Sequence, residues 1–324
     1  MISNHVCRPV SAERVVSGFV SSKLSRTLLR RLILASQKVD AFRARGSYSG
    51  LAKQPGGAHQ FAEATCEFDD SLSLLQYLQP FNLQSIIANR TVLDYGSGYG
   101  GRTVWMAQTA RSVRGVEIFP SMVEKSQVFA AFKNATNVEF SLGSEERILF
   151  EDGSFDVVVS FDVLEHVANP GAILREMYRV LKPGGTAVIV FTPYFGAFAH
   201  HLNYITLLPG LHWLWRPETL IAVVNDMLDE EPCFRALGVQ RQAAPRVGHN
   251  GWRRVLPTLN GLTKSDFVKC ERAAGFRRHY LCSTPILDRY PLGGPVCRLF
   301  NRALARVPVV DELVSINLVS VLGK

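Results

Sequence analysis

The sequence lacks the features that mark a membrane-spanning or a disulfide-stabilised protein. None of its 324 residues belongs to an apolar run of about 18 to 20 residues, the length that a membrane-spanning helix needs. Its six cysteines are scattered, and no two of them form a Cys-x-x-Cys pair. Such pairs are typical of zinc sites, so the sequence predicts neither a metal site nor a disulfide framework. We therefore expect a cytoplasmic protein.

Acidic residues are scarce at the beginning of the chain. Residues 1–53 hold ten Lys and Arg but two acids, whereas the rest holds 26 basic and 26 acidic residues. Apolar residues recur in this segment every four positions, which predicts an amphipathic helix: Val16, Val20, Leu24, Leu28 and Leu32. Three interpretations stay open: a helix that covers the body, a surface helix on anionic lipid or an acidic partner, and an organellar transit peptide. Because Gly and Pro punctuate residues 46–60, we predict a leader and loop over 1–60 and a body over 61–324.

The body alternates between apolar strand patterns and helical patterns. The predicted strands are Thr91–Tyr95, Ser112–Ile118, Asn137–Ser141, Phe155–Ser160 and Thr186–Phe191, and the helices between them are Thr103–Ala110, Pro120–Phe132 and Pro170–Leu181. Strands that alternate with helices of about a dozen residues are typical of a doubly wound α/β fold with a mostly parallel sheet. A ligand in such a sheet binds outside the carboxyl ends of the strands.

The stretch VLDYGSGYGG, residues 92–101, stands at the carboxyl end of the first predicted strand. Gly96 and Gly98 can adopt backbone angles that other residues avoid, and they lack a Cβ that would block a ligand. Glu117, which ends the second strand, is placed to accept hydrogen bonds from ribose hydroxyls. Asp94 precedes the glycines, and its charge would repel a diphosphate and attract a sulfonium or ammonium group. This favours S-adenosyl-L-methionine over NAD.

Four motifs in order resemble those of the class I S-adenosylmethionine-dependent methyltransferases, and most of all the bacterial small-molecule group called type 11. They are VLDYGSGYG at Val92–Gly100, GVEI at Gly115–Ile118, FEDGSFDVVVSFDVLEHV at Phe150–Val167 and REMYRVLKPGG at Arg175–Gly185. The resemblance covers about a third of the chain. It implies an enzyme with a seven-stranded Rossmann-like sheet, N-terminal helices and two insertions.

The resemblance also implies a set of cofactor-binding residues. Glu117 would hold the ribose and Ile118 would pack on the adenine, whereas the remaining residues would face the methionine portion: Asp94, Gly96, Gly98, Gly100, Phe161 and Asp162. The third strand departs from the family pattern, because Gly143, Ser144 and Glu145 stand where the family has Gly-Asp-Ala. We expect Ser144 or Glu145 to replace the acid that binds the adenine amino group.

The second half of the chain is expected to hold the methyl acceptor. Class I enzymes end with a helix, a strand and an antiparallel strand, which we place at Lys264–Ala274, Phe276–Ser283 and Leu313–Leu322. Two insertions then remain, at about 192–260 and 284–310. The first is rich in aromatic residues, so it predicts a pocket wall for an apolar or aromatic acceptor, although these residues could equally form a small core of their own.

Several side chains are candidates for the chemistry of methyl transfer. A hydroxyl acceptor must lose its proton, and histidine is suited to accept a proton near neutral pH. The candidate bases are His200 and His201, which are adjacent in the chain, and also His166, which follows the fourth strand. Tyr194 and Tyr204 are the candidates for positioning the acceptor.

The sequence leaves several functions open. We expect O-methylation or C-methylation of a small acceptor, which could be lipid-linked if the basic leader and an amphipathic stretch at 291–310 contact a membrane. One alternative is a nucleic-acid methyltransferase, which the formally neutral body and the absence of an Asn-Pro-Pro-Tyr or Asp-Pro-Pro-Tyr tetrapeptide disfavour. Another is a non-catalytic assembly or binding protein on the same fold. The oligomeric state is not predicted.

Overall fold

The computed structural model describes residues 23–43, 61–75, 78, 80–202, 205–235, 241–251, 253–285 and 308–324. Its strands are β1 Thr91–Tyr95, β2 Ser112–Glu117, β3 Val138–Leu142, β4 Phe155–Phe161, β5 Leu181–Phe191, β6 Arg246–Val247, β7 Arg254–Val255, β8 Arg277–Pro285 and β9 Ser315–Gly323. Its helices are α1 Lys23–Arg43, α2 Ala62–Leu75, α3 Leu83–Ile87, α4 Gly101–Ala107, α5 Pro120–Phe132, α6 Pro170–Val180, α7 Leu211–Leu214, α8 Pro217–Glu230, α9 Pro232–Arg235, α10 Lys264–Ala273 and α11 Pro308–Leu313.

Seven strands form one sheet in the order β3-β2-β1-β4-β5-β9-β8. Strands β1 to β5 pair in parallel, and β9 is inserted antiparallel between β5 and β8. The prediction of a doubly wound, mostly parallel seven-stranded sheet is confirmed. The strand order reverses between β1 and β4, so the loops after these two strands flank the crevice in which such sheets bind ligands.

The centre of the sheet is buried on both faces, as its apolar strands predict. Val157, Val158 and Val159 of β4 are fully buried, and their side chains alternate between two hydrophobic clusters on opposite faces. Helix α6 covers one face with Ile173 and Met177. Asn169 caps this helix, since its side chain accepts a hydrogen bond from the amide of Ala172 at 3.0 Å.

Strand β5 begins earlier than the sequence indicated. The predicted helix ran to Leu181 and the predicted strand began at Thr186, whereas in the structure β5 already begins at Leu181 and includes Lys182–Gly185. The pairing with β4 shifts register between Phe155 and Val157, so residues 182–185 form an irregular extension ahead of the regular ladder. Proline and glycine therefore mark a distorted strand end here, not a separate loop.

The predicted helix in the basic leader is present as α1, but its apolar stripe was assigned to the wrong face. Leu24, Leu28 and Leu32 are exposed, with Leu24 at 71 %. The buried side lies one residue further along, where Leu29 and Ile33 are completely covered. Because leucine occupies both faces, the spacing of four did not distinguish them. Val16 and Val20 lie outside the described residues.

Helix α1 packs on the first insertion, not on the central sheet. Leu29 and Ile33 share a hydrophobic cluster with Leu202, Trp215 and several apolar residues of α8. The insertion thus has a core of its own, to which the leader helix contributes. The division of the chain at residue 60 stays a prediction. Most of the second insertion, residues 286–307, lies outside the description, as does the predicted amphipathic stretch there.

Among the helices that the structure describes, none is both long enough and apolar enough to cross a membrane.

Candidate active site

The glycine loop after β1 has the backbone geometry that its sequence predicts. Gly96, Gly98 and Gly100 have φ angles of 77°, 56° and 81°, in the left-handed region. A Cβ on Gly96 would come within 2.2 Å of the Val163 side chain, and a Cβ on Gly98 within 2.9 Å of a Glu67 carboxylate oxygen. The missing side chains therefore make room for neighbouring side chains of the protein as well as for a bent backbone.

Asp94 lies beneath this loop and is 2 % exposed. Its carboxylate accepts a hydrogen bond of 2.6 Å from the hydroxyl of Thr103, which fixes its orientation. Burial raises the pKa of Asp94 to about 6, although the hydrogen bond and the nearby Arg102 act in the opposite direction. Asp94 is thus partly protonated around pH 6, and a cation beside it would favour the charged form.

Glu117, at the end of β2, is tied to the glycine loop. One carboxylate oxygen accepts a hydrogen bond from the amide of Gly98 at 3.0 Å, and the other accepts from Ile118 at 2.7 Å and Phe119 at 3.2 Å. A carboxylate offers about four acceptor positions, so one is left for a ligand hydroxyl. Ile118 is 36 % exposed, in keeping with an apolar surface available to a planar ring.

A cavity of about 310 Å³ opens beside the carboxyl ends of β1, β2 and β3. Its walls include Tyr95, Val116, Gly143, Ser144 and Ile148. The hydroxyl of Ser144 accepts a hydrogen bond from the amide of Glu146 at 3.2 Å, so it is engaged in a local turn. Glu145 is exposed. The structure places both candidates for adenine recognition at this end of the sheet, with Ser144 in the cavity wall itself.

Phe161 ends β4, Asp162 follows it, and both lie next to Arg102. The guanidinium carbon of Arg102 is 5.4 Å from the centre of the Phe161 ring, and a guanidinium nitrogen is 3.7 Å from the Asp162 carboxylate. Asp162 has a φ of 57°, which is unusual for a residue other than glycine and marks a constrained turn. The sequence interpretation did not select Arg102, because it stands inside a helical pattern after the glycines.

Glu67 is a second residue that the sequence interpretation missed. It projects from α2 onto the glycine loop, where its carboxylate accepts hydrogen bonds from the amides of Gly101 at 3.0 Å and Tyr99 at 3.3 Å. Burial raises the pKa of Glu67 to about 7. Nothing in the sequence around residue 67 distinguishes this acid from a surface residue, because its role arises from the packing of α2 against α4.

Both ring nitrogens of His200 have partners among the described residues, which disfavours its predicted role as a general base. Its ring is completely buried, Nε2 lies 2.9 Å from the carbonyl oxygen of Leu208, and Nδ1 accepts a hydrogen bond from the amide of Leu202 at 3.0 Å. Since a carbonyl only accepts, Nε2 carries the proton and neither nitrogen is free. Burial also lowers the pKa of His200 to about 4. This histidine supports the fold of the insertion.

His201 and His166 are brought together by the fold. Their rings lie 5.0 Å apart, centre to centre, and Nε2 of His201 is 3.9 Å from a carboxylate oxygen of Glu165. Burial lowers the pKa of His201 to about 3, and it also lowers the pKa of His166. Burial raises the pKa of Glu165. The sequence analysis selected both histidines but not Glu165, whose side chain is buried.

Tyr194 lies in an aromatic group at the start of the insertion. Its ring is 4.3 Å from the guanidinium carbon of Arg253 and packs against Phe195 and His212. Phe198 and Trp215 are buried, so part of the aromatic segment does form the core of the insertion. Tyr204 lies outside the described residues.

Comparison with known proteins relates this site to a family. Residues 93–189 match the family model described as "Methyltransferase domain". The chain is 33% identical over 117 residues to a "Ubiquinone biosynthesis O-methyltransferase" of Xanthomonas oryzae pv. oryzae (strain PXO99A), covering 34% of this chain and 48% of that protein. It is 31% identical over 138 residues to an "Uncharacterized methyltransferase" of Mycobacterium sp. (strain KMS), covering 43% of this chain and 53% of that protein.

The chain therefore spans about half the length of the curated relatives it matches. Among solved structures it is similar to an S-adenosylmethionine dependent methyltransferase from Mesorhizobium loti, with a TM-score of 0.46 and 14% identity, over 78% of this chain and 96% of that one. The family model covers the glycine loop, Glu117 and the β4 turn. Over residues 93–189, the chain is thus similar to the methyltransferase domain family.

Proposed function

We propose that this protein transfers a methyl group from S-adenosyl-L-methionine to an oxygen atom of a small acceptor with an apolar or aromatic body. The observation that carries this proposal is the excess of acids around the glycine loop. Asp94, Glu67, Glu117 and Asp162 are close enough to influence one another or the one arginine among them, Arg102. A crevice with this charge favours a ligand that carries positive charge.

The residues present fit that cofactor. Glu117 would hold the ribose, and the cavity beside β3 would accept the adenine. The acids would face the positively charged amino and sulfonium groups. The Nε atom of Arg102 is buried and has no hydrogen-bond partner within the described part of the chain, and Arg102 would supply the positive charge for the methionine carboxylate. When bound, S-adenosyl-L-methionine supplies an electrophilic methyl group on a cationic sulfur.

The acceptor side is formed by the first insertion. Tyr194, Phe195 and the Arg253 guanidinium form a stacked group, and Phe195 is 38 % exposed. Such a surface suits an aromatic or apolar acceptor. Transfer to oxygen is favoured over transfer to carbon because the names of several relatives specify O-methylation. A lipid-linked acceptor would be consistent with the exposed leucines of α1.

Cofactor binding is the first test. Isothermal titration should show one site for S-adenosyl-L-methionine or its product S-adenosylhomocysteine, and no site for NAD. Glu117→Gln should weaken binding about tenfold or more, because an amide is a poorer acceptor for ribose hydroxyls than a carboxylate. Glu124→Gln, which changes an exposed acid of the neighbouring α5, should leave binding unchanged.

Methyl transfer is the second test. Transfer of a radiolabelled methyl group should be detected with phenols or catechols that carry apolar substituents, and it should not be detected with RNA. Transfer to RNA at low salt would instead support the nucleic-acid alternative. Cofactor binding without turnover on any acceptor class would support a non-catalytic protein and overturn the proposal.

A further inference from the structure

A buried carboxylate and two histidines converge at the turn after β4. One ligand-type atom from each of Glu165, His166 and His201 lies within 4.8 Å of the other two. Glu165 is 2 % exposed, and its Oε1 accepts a hydrogen bond of 3.0 Å from the amide of Thr192. Its Oε2 is buried and has no hydrogen-bond partner among the residues that the structure describes. A buried carboxylate oxygen without a partner is costly, so it points to a missing positive group.

The hydrogen bonding of His166 leaves one of its ring nitrogens with a lone pair. Its Nδ1 lies 2.7 Å from the carbonyl oxygen of Thr258. A carbonyl only accepts, so Nδ1 carries the proton and Nε2 keeps a lone pair. Histidines that bind metals commonly donate their second N–H to a backbone carbonyl, which fixes both the tautomer and the ring plane. The hydrogen bond from His166 to the carbonyl of Thr258 provides this arrangement.

His201 is held beside them by an unusual backbone conformation. Its φ is 50°, in the left-handed region that costs a residue other than glycine about 1 kcal/mol or more. Its amide donates to the carbonyl of Phe198 at 3.0 Å, and Nε2 lies 3.9 Å from Oε1 of Glu165. A strained conformation of this kind persists where the surrounding structure fixes it, and here it directs the ring toward Glu165.

The turn that carries Glu165 and His166 is clamped by the first insertion. Asn260 is 1 % exposed, and its side-chain amide donates to the carbonyls of Leu164 at 2.6 Å and Val167 at 2.8 Å. Its backbone amide donates to the carbonyl of Glu165 at 2.8 Å. Arg246 adds a hydrogen bond of 3.1 Å to the carbonyl of His166. The side chains of Glu165 and His166 are thus carried by a turn that several hydrogen bonds hold in place, as preorganised ligands require.

We infer that Glu165, His166 and His201 bind a single divalent transition-metal ion. Two imidazole nitrogens and one carboxylate oxygen are a donor set suited to Zn²⁺ or Fe²⁺, whereas Mg²⁺ and Ca²⁺ prefer oxygen ligands throughout. Atoms bound to one ion at about 2.0–2.2 Å lie roughly 3.4 Å apart, so small side-chain movements close the present spacing. Three protein ligands leave at least one position for water or another ligand.

The charges around the cluster agree with an ion there. Asp162 is close enough to influence both Glu165 and His166, so a second carboxylate lies near. The cationic groups facing the cluster in the described structure are Arg246, which acts on His166, and Arg102, which is 3.7 Å from Asp162. Neither contacts Oε2 of Glu165, which has no partner. A divalent ion would supply the charge that this oxygen lacks.

The inference is tested by metal titration of the full chain, purified without a polyhistidine tag and treated with a chelator. Zn²⁺ should bind at one site per chain, and Co²⁺ at the same site should give visible absorption bands that Zn²⁺ displaces. Glu165→Gln and His166→Gln should each lower the affinity about 100-fold or more, since loss of a ligand exceeds the 10- to 100-fold effect of losing a second-shell partner. His201→Asn should act similarly, and asparagine tolerates the left-handed backbone.

A matched control comes from a histidine outside the cluster. His279 is exposed on β8 and belongs to no group of potential metal ligands among the described residues. His279→Gln should leave metal affinity unchanged. Thermal unfolding in the presence of chelator establishes that each variant is folded before its metal affinity is measured. Absence of Zn²⁺ and Co²⁺ binding, or equal binding by the wild type and the folded Glu165→Gln variant, overturns the inference.

The metal site goes beyond the proposed methyl transfer and does not depend on it. Titration with S-adenosylhomocysteine in the presence of chelator measures the cofactor site alone. Failure of that titration with intact Zn²⁺ binding would count against the proposed function and leave the metal site standing. The converse result would remove the metal site and leave the proposed function intact.

Discussion

The glycine crevice and the histidine cluster both border the turn after β4, yet they are built in different ways. The crevice takes Asp94, Gly96 and Glu117 from two neighbouring strand ends, less than 25 residues apart in the chain. The cluster joins Glu165 and His166 to His201, and it is held by Thr258 and Asn260 from the far end of an insertion. The comparison shows that a motif can specify a cofactor crevice locally, whereas the neighbouring chemistry depends on long-range packing.

The largest effect is expected from removing the clamp on the cluster. Asn260→Ala removes the side-chain bonds to two buried carbonyls and a third to the amide of Leu262. Leaving these groups unsatisfied should cost roughly 3–5 kcal/mol of unfolding free energy. We also expect weaker Zn²⁺ binding by the variant that remains folded at low temperature. Denaturant unfolding and metal titration measure the two effects.

Asn225→Ala is the matched control for that variant. Asn225 is another buried asparagine of the insertion, and it exchanges two hydrogen bonds with the backbone of Gln242. Its loss should destabilise the protein without changing the affinity for Zn²⁺. If both variants lose metal binding equally, the cluster depends on the stability of the insertion in general and not on the Asn260 clamp.

The packing of the glycine crevice is tested by adding one methyl group at Gly96. Gly96→Ala places a Cβ at a φ of 77° and within 2.2 Å of Val163, whose β-branched side chain has little freedom to move. We expect a loss of about 3 kcal/mol from backbone strain and overpacking together. Gly184→Ala has a similar φ of 75° but no atom within 4 Å of its Cβ, so it should lose about 1–2 kcal/mol.

The two glycine variants thereby separate the backbone contribution from the packing contribution. Equal losses in urea unfolding would show that Val163 moves aside and that the loop is not tightly packed on the β4 turn. We expect Gly96→Ala also to weaken S-adenosylhomocysteine binding, whereas Gly184→Ala should not, because Gly184 lies at the opposite end of the sheet from the crevice.

A moderate effect is expected from pH on cofactor affinity. The pKa of Glu67 is raised to about 7 and that of Asp94 to about 6, so both carboxyls lose their protons as the pH rises from 5 to 8. A ligand with positive charge binds the ionised acids better, so affinity should increase by about tenfold over this range. Titration calorimetry at several pH values measures the slope, which Asp94→Asn should reduce.

The same two acids should act oppositely on the ligand-free protein. A carboxyl whose pKa is raised on folding adds stability below its unfolded pKa, and this contribution is lost as the pH rises through the folded value. Unfolding free energy without cofactor should therefore decline between about pH 4 and 7 at these two sites. Asp94→Asn should flatten part of this decline, and an unchanged profile would show that Asp94 is not perturbed by burial.

Most of the sheet and the crevice could be predicted from the sequence because they depend on local patterns. The period of apolar residues located β1 and β4, and the glycines located the left-handed loop after β1, above Asp94. The face of α1 could not be predicted, because leucine stands on both sides of that helix and only packing on the insertion selects Leu29. The roles of His200 and Glu165 also required the structure, because hydrogen bonds from distant segments determine which ring nitrogen or carboxylate oxygen remains free.

The smallest effect on cofactor affinity is expected at Ser144, where the sequence departs from the family pattern. Ser144 lines the cavity beside β3, but its hydroxyl already accepts a hydrogen bond from the amide of Glu146. If that hydroxyl only shapes the turn, Ser144→Ala should change S-adenosylhomocysteine affinity less than about threefold, within the range of one weak neutral hydrogen bond. Ser144→Asp would introduce the acid that the family has, and it should tighten binding by a larger factor through a charge-assisted bond to the adenine amino group. A tenfold loss in Ser144→Ala would instead show that the serine hydroxyl recognises the adenine, and that the local turn rearranges to free it when the cofactor binds.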